Sequence, residues 1–233
     1  MFRIMNNINI TEKYALCMLK EKRKFYETEL TSHLLVSMII EMMLDGNLEI
    51  SNKSKVRLTD KTPTANYNIQ LYNAIKEGKF SGMLKKTDEI PFKDIISLVC
   101  HSFSNKTMKA IVEPLKEKMI EDELISREEK KGLIGNKEVI IINDDKFNNI
   151  VEEVRAEILE NGNLTDDVIL LSSLLNATKF LKNIFTKYEK ERLESRLKEI
   201  KQTEISEKVK IAQDVINDMS AIMAAMIITT INS

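Results

Sequence analysis

The stretch FYETELTSHLLVSMIIEMMLDGNLEI at 25–50 constrains this chain more than any other. Leu30, Leu34, Met38 and Met42 recur every four residues, with Leu35, Ile39 and Met43 beside them. A stripe that wide fits a helix buried around most of its circumference. The helix is expected to start near Thr28. Gly46, after Asp45, can take the left-handed backbone that closes it. Such a helix must be wrapped by other apolar elements, and 233 residues with 43% hydrophobic content suffice for one sizeable core. Only 6 Gly and 3 Pro interrupt the chain, which favours long helices over many short strands.

The remaining elements follow from caps, periodicity and breakers. Thr11 is expected to cap a first helix with Tyr14, Ala15, Met18 and Leu19 inward. Leu48–Ile50 and Val56–Leu58 read as a small wing-like hairpin. Thr62, Pro63 and Thr64 break the chain before a helix carrying Ile69, Tyr72 and Ile75. Pro91 is expected to open a helix with Phe92, Ile95, Ile96, Val99 and Phe103 inward. Another covers roughly 106–122, where Pro114 should kink or restart it. Residues 124–142 give the clearest hairpin signal, because Val139, Ile140, Ile141 and Ile142 favour a strand and two glycines flank the turn. Asn143 and Thr165 are expected to cap two later helices, the second apolar through Phe185. A charged solvated helix follows over 186–202, then a last helix from about Ser206. The reading is a mainly α protein: one globular helical domain over 1–233, with a protruding β-hairpin, a small wing-like hairpin, and residues 1–10 as a loose N-terminal tail.

Composition and motif searches narrow the function. A formal net charge of −1 gives no global pull toward nucleic acid or an acidic bilayer, so such a partner must meet a local patch. Two cysteines, Cys17 and Cys100, suit a reducing compartment without a disulfide scaffold. The longest apolar run, AIMAAMIITTI at 221–231, is far short of the ~20 residues of a membrane span, so a cytoplasmic protein, at most peripheral to a membrane, is expected. No phosphate-cradling Gly-rich loop, nucleophile elbow or zinc-protease motif occurs. His33, His101, Cys17 and Cys100 lack paired metal-ligand spacing, so no metal or other cofactor is expected. Glu152, Glu153, Asp166 and Asp167 are expected near helix starts, where carboxylates favour the dipole. No enzyme is expected.

One local feature suits a membrane surface. Lys20, Lys22, Arg23 and Lys24 run straight into Phe25 and Tyr26. Basic charge draws an anionic surface close, and an aromatic ring sits well at the interface.

Several segments, in order, resemble the Golgi phosphoprotein 3 family of phosphatidylinositol 4-phosphate-binding proteins. They are ITEKYALCMLKEK, FYETELTSHLLVSMIIEMMLDGNLEI, VRLTDKTPTANYNIQLYNAIK, LKEKMIEDELI and LTDDVILLSSLLNATKFLKNIF, and the likeness runs over roughly 10–231. The short stretch before the first helix looks like a bacterial-type member. The resemblance implies a mostly helical fold with a protruding hairpin, no catalysis, and peripheral attachment to a phosphoinositide or anionic phospholipid surface.

The family pocket uses a Trp after a Phe, an Arg in the second helix, and two Arg spaced by three before the hairpin. By resemblance these positions fall on Tyr26, Leu35, Lys109 and Val112. Tyr26 keeps a ring and Lys109 a charge; Leu35 and Val112 carry neither. The head-group set implied is therefore Tyr26, Lys109, Lys106, Lys22, Arg23 and Lys24. The hairpin is implied to make a homo-oligomer, through Leu133, Ile134, Val139, Ile140 and Ile141. Two other readings stand beside this one: a self-associating protein-interaction module without lipid specificity, and a winged-helix nucleic-acid binder. Against the second, residues 28–44 contain no Lys or Arg.

Overall fold

The structure is a computed structural model that describes residues 8–21, 24–51, 55–77, 89–92, 94–95, 105–132, 135–160, 164–200 and 207–231. In chain order the elements are α1 (Ile10–Lys20), α2 (Thr28–Leu44), β1 (Leu48–Ser51), β2 (Lys55–Leu58), α3 (Asn66–Lys76), β3 (Ile90–Pro91), α4 (Asn105–Glu121), β4 (Ile125–Gly132), β5 (Gly135–Ile142), α5 (Asp144–Leu159), α6 (Asp166–Ala177), α7 (Leu181–Ile184), α8 (Lys187–Ile200) and α9 (Glu207–Ile231). The fold is mainly α, as expected.

The stripe of α2 lies at its centre. Leu30, Leu34, Leu35, Met38, Ile39 and Met42 are all fully buried. α1 and α9 pack on α2, α6 packs on both α1 and α9, and α3 packs on α4. The helix stops as its sequence predicts. Gly46 sits at φ +73, Asn47 N–H donates to Met42 O at 2.8 Å, and Gly46 N–H donates to Met43 O at 3.1 Å. These two bonds satisfy carbonyls that the helix end would otherwise orphan.

Two other helices end by the same device without glycine. Glu123 follows α4 at φ 57, and Lys179 follows α6 at φ 59. Leu124 N–H reaches Met119 O at 2.8 Å, and Phe180 N–H reaches Leu175 O at 2.9 Å. The left-handed turn at Lys179 therefore splits the segment expected to run to Phe185 into α6 and the short α7. Leu164, Phe180, Leu181 and Phe185 remain buried, so the apolar pattern continued while the backbone turned.

Other boundaries differ for identifiable reasons. Asn9, not Thr11, caps α1, and its backbone N–H donates to Glu12 Oε2 at 2.8 Å. Glu12 stands three residues beyond Asn9, the spacing of a capping box. Pro114 lies inside α4, which continues through it. Pro91 lies in β3, where it pairs with Lys55 and extends the wing to three strands. An edge strand tolerates proline because its missing N–H need not serve the ladder. Phe92 and Ile95 are buried as expected, whereas Ile96, Val99, Cys100, His101 and Phe103 lie outside the described residues. Asn143 and Thr165 cap α5 and α6, accepting from Lys146 N–H and Val168 N–H.

A polar cluster sits beside this core. Glu41 of α2 accepts from Tyr67 Oη at 2.8 Å, from Asn68 Nδ2 at 2.7 Å and from Thr11 N–H at 3.2 Å. Its carboxyl is pushed up from the usual range, chiefly by burial. Burial also pushes the neighbouring Glu12 up to about 7, against the bond from Asn9, with the charges of Asp122 and Glu41 adding to the rise. Glu12 Oε1 is buried without a hydrogen-bond partner, which favours the neutral carboxyl.

Candidate functional site: the Tyr26 ledge

The aromatic pair at the mouth of α2 divides. Phe25 is buried, and Thr31 Oγ1 donates to its carbonyl at 3.0 Å, fixing the entry to the helix. Tyr26 points the other way and is 38% exposed. Its hydroxyl donates to Glu113 Oε2 of α4. The Lys109 ammonium lies over its ring, 5.9 Å from the centroid. Two residues singled out from sequence, one before α2 and one in α4, therefore meet at the surface.

The other positions behave differently. Leu35 and Val112 are fully buried, so the side chains lacking charge there fill the core. Lys24 is exposed beside the ledge's loop. Lys22 and Arg23 lie outside the described residues, and Lys106 belongs to α4 by its backbone alone. Lys20 is committed elsewhere, 2.5 Å from Asp144 and over the Phe147 ring.

α4 supplies two members that the sequence did not single out, Glu113 and Lys116. Lys109, Glu113 and Lys116 recur at intervals of four and three, which puts them on one helix face. That spacing was the available signal. Lys116, with its side chain 5% exposed, lies 3.5 Å from Glu113 and also pairs with Glu138 of β5. Arg127 of β4 grips Glu117 with two bonds of 3.1 and 3.3 Å. The ledge thus joins the loop before α2, one face of α4 and the base of the hairpin. The cations Lys116 and Arg127 are each held by carboxylates, and Lys109 rests on the ring.

Electrostatics at the hydroxyl carry a sign. Tyr26 is held well above the ordinary phenol range by partial burial, then by its bond to Glu113, then by the charges of Glu113, Glu138 and Glu117. The hydroxyl therefore stays protonated and donates to Glu113.

The hairpin pairs Ile125 with Ile142 through Gly132 with Gly135. Ile141 is 37% exposed, and Val139 and Ile140 are half-buried. Leu133 and Ile134 lie outside the described residues. The acidic pairs are structural: Glu153 and Asp167 both face the buried Lys13, at 3.0 and 4.0 Å, and Glu152 pairs with Arg155. Glu152 and Glu153 fall mid-way along α5 rather than near its start. Among the described residues, no group of three or more His, Cys, Asp or Glu is placed to hold a metal ion, and no helix is long and apolar enough to cross a membrane. A polar cleft of about 230 Å³ opens between α6, α8 and α9, lined by Ser173, Asn176, Ala177, Glu194, Lys198, Gln213 and Asn217; no sequence signal pointed to it.

The sequence profile of the Golgi phosphoprotein 3 (GPP34) family matches residues 11–219. The chain belongs to the Golgi phosphoprotein 3 family. No individual curated protein is similar enough to count as a match. The family is associated with phosphoinositide lipid interaction and is not a known enzyme family. Within this member of the Golgi phosphoprotein 3 family, residues 30–43 of α2 are buried.

Proposed function

We propose that this protein is a non-enzymatic peripheral membrane protein, acting from the cytoplasmic side as a single domain, that binds phosphatidylinositol 4-phosphate or, more weakly, bulk anionic phospholipid. One observation carries the reading: Tyr26 is exposed with Lys109 over its ring, and by resemblance these two residues fall on the family's head-group positions. The ring supplies interfacial contact, and Lys109 and Lys24 supply attraction of about 1 kcal/mol per basic residue near an anionic surface. Burial of Leu35 and Val112 removes two cationic positions, which favours the weaker, less selective mode. Liposome flotation at low salt tests this, with phosphatidylserine vesicles, phosphatidylinositol 4-phosphate vesicles and neutral vesicles. Flotation with the charged vesicles is expected, and its absence from both sinks the proposal.

Self-association through the 124–142 hairpin is a second reading compatible with the first. The exposed Ile141 on a strand rich in β-branched residues favours it, because such an edge invites pairing.

A further inference from the structure

We propose that Glu12 and Asp122 share one proton, which latches the start of α1 to the end of α4 and whose loss opens that junction. The latch stands apart from the membrane reading above.

Four helix ends meet here. Asn9 and Glu12 open α1, Glu41 lies in the last turn of α2, Tyr67 and Asn68 lie in the first turn of α3, and Lys118 and Asp122 lie at the end of α4. Most of their polar atoms are matched. Glu41 accepts from Tyr67, Asn68 and the Thr11 N–H, and Asn9 Nδ2 donates to Tyr67 Oη at 3.0 Å. Glu12 Oε2 accepts from the Asn9 N–H, and Lys118 Nζ donates to Asp122 Oδ1 at 2.5 Å. Glu12 Oε1, Asp122 Oδ2, Thr11 Oγ1 and Asn68 Oδ1 are buried without a hydrogen-bond partner. Only the first two belong to carboxyl groups.

A buried acceptor left without a donor is costly. A proton on Glu12 Oε1 turns that acceptor into a donor, and Asp122 Oδ2 is the carboxylate oxygen left to receive it. One proton then satisfies two oxygens. It belongs on Glu12, which is fully buried, because Lys118 already holds Asp122 as a carboxylate. Burial raises the Glu12 carboxyl to about 7 against the Asn9 bond; Asp122 adds to the rise, Lys118 opposes it, and Glu41 adds less than Asp122 does. Asp122 is thus the stronger neighbour of the two. Asp45 acts on Glu41 and Glu121 on Lys118, while Glu153 and Asp167, from α5 and α6, face Lys13 instead.

As pH rises through about 7 the proton passes to solvent. Two carboxylates then stand together, and the Lys118 ammonium must serve both. The strain falls on the base of the hairpin. Directly after Asp122, Glu123 turns the chain at φ 57, Leu124 N–H reaches Met119 O, and Asn143 N–H reaches Leu124 O at 3.0 Å. Loosening Asp122 therefore frays the end of α4 and the entry to β4, together with the first turn of α1.

Amide hydrogen exchange of the full chain tests this at pH 6 and pH 8, corrected for the intrinsic effect of pH, in peptides covering 9–16 and 118–126. The wild type is expected to lose protection about 10-fold more in these peptides than elsewhere at the higher pH, the scale of one pH unit beyond the midpoint. Glu12→Gln supplies a permanent donor and should protect both peptides equally at the two pH values. Asp122→Asn removes the neighbouring charge and should lower the Glu12 midpoint, read from its carboxyl carbon by NMR, by about 1 pH unit or more. Equal wild-type protection at both pH values overturns the latch, as does a loss spread evenly over the chain. A wild-type Glu12 midpoint in the ordinary carboxylate range overturns it too. So does an unchanged midpoint in Asp122→Asn with wild-type circular dichroism, which would give the proton another acceptor.

Discussion

The Tyr26 hydroxyl donates to Glu113, a residue 87 positions further along the chain. This bond ties the loop before α2 to α4 while leaving the ring at the surface. Contact through the ring and orientation through the hydroxyl are therefore separable. Tyr26→Ala should weaken vesicle binding about 5- to 10-fold, whereas Tyr26→Phe should keep most of it. Because the ring is 38% exposed, both variants should unfold within about 1 kcal/mol of the wild type in urea.

Restoring a cation at a buried family position should damage the fold rather than create a site. Leu35 is fully buried among apolar side chains of the core. Leu35→Arg is expected to lower stability by at least about 3 kcal/mol, since it would place a guanidinium in the apolar core. Chemical denaturation measures the loss, and gain of phosphoinositide flotation by a folded Leu35→Arg protein would contradict the account.

Glu12 makes stability fall as pH rises through a defined window. Its folded value of about 7 exceeds its ordinary 4.5, so the folded protein holds a proton that the unfolded chain releases. The stabilising contribution is full below about 4.5, declines up to about 7, and is lost above it. The groups facing it are Glu41, Asp122, Lys118 and the Asn9 backbone. Glu12→Gln should remove up to about 3 kcal/mol of this slope. Thermal unfolding at pH 5 and pH 8 checks it: the variant should gain on the wild type only at the higher pH.

The left-handed helix ends give a stabilising prediction. Glu123 and Lys179 hold φ 57 and 59, where a side chain crowds its own carbonyl. Glu123→Gly and Lys179→Gly should each raise stability by about 0.5–1 kcal/mol, partly offset by glycine's greater unfolded freedom. Gly46→Ala should do the reverse, at φ +73 in otherwise open space.

Hairpin association should depend on Ile141. Light scattering at increasing concentration is expected to report oligomers for the wild type and a shift to monomer for Ile141→Lys, because charge on an edge blocks pairing. A wild-type monomer at high concentration removes the second functional reading.

Much of this molecule was legible where local signals were strong. The stripe of α2, its glycine stop, the hairpin of β4 and β5, and the caps at Asn143 and Thr165 all rest on spacing or on a residue with one clear backbone use. The break after Ala177 was not legible, because Lys179 sits where glycine would have announced a turn. Pro91 serves both uses of proline at once: it pairs with Lys55 at the sheet edge, which the sequence did not show, and the chain is helical from Phe92, as expected.

The candidate site divides the same way. Sequence by itself determined the family, the core helix and the two side chains, Tyr26 and Lys109, that could face a membrane. Tertiary structure decided that these two meet, that Glu113 takes the hydroxyl, and that Lys116 and Arg127 are already engaged by carboxylates from α4 and the hairpin. The reason is physical. A periodic pattern records which face of an element is apolar, but charge balance depends on distances between elements far apart in the chain.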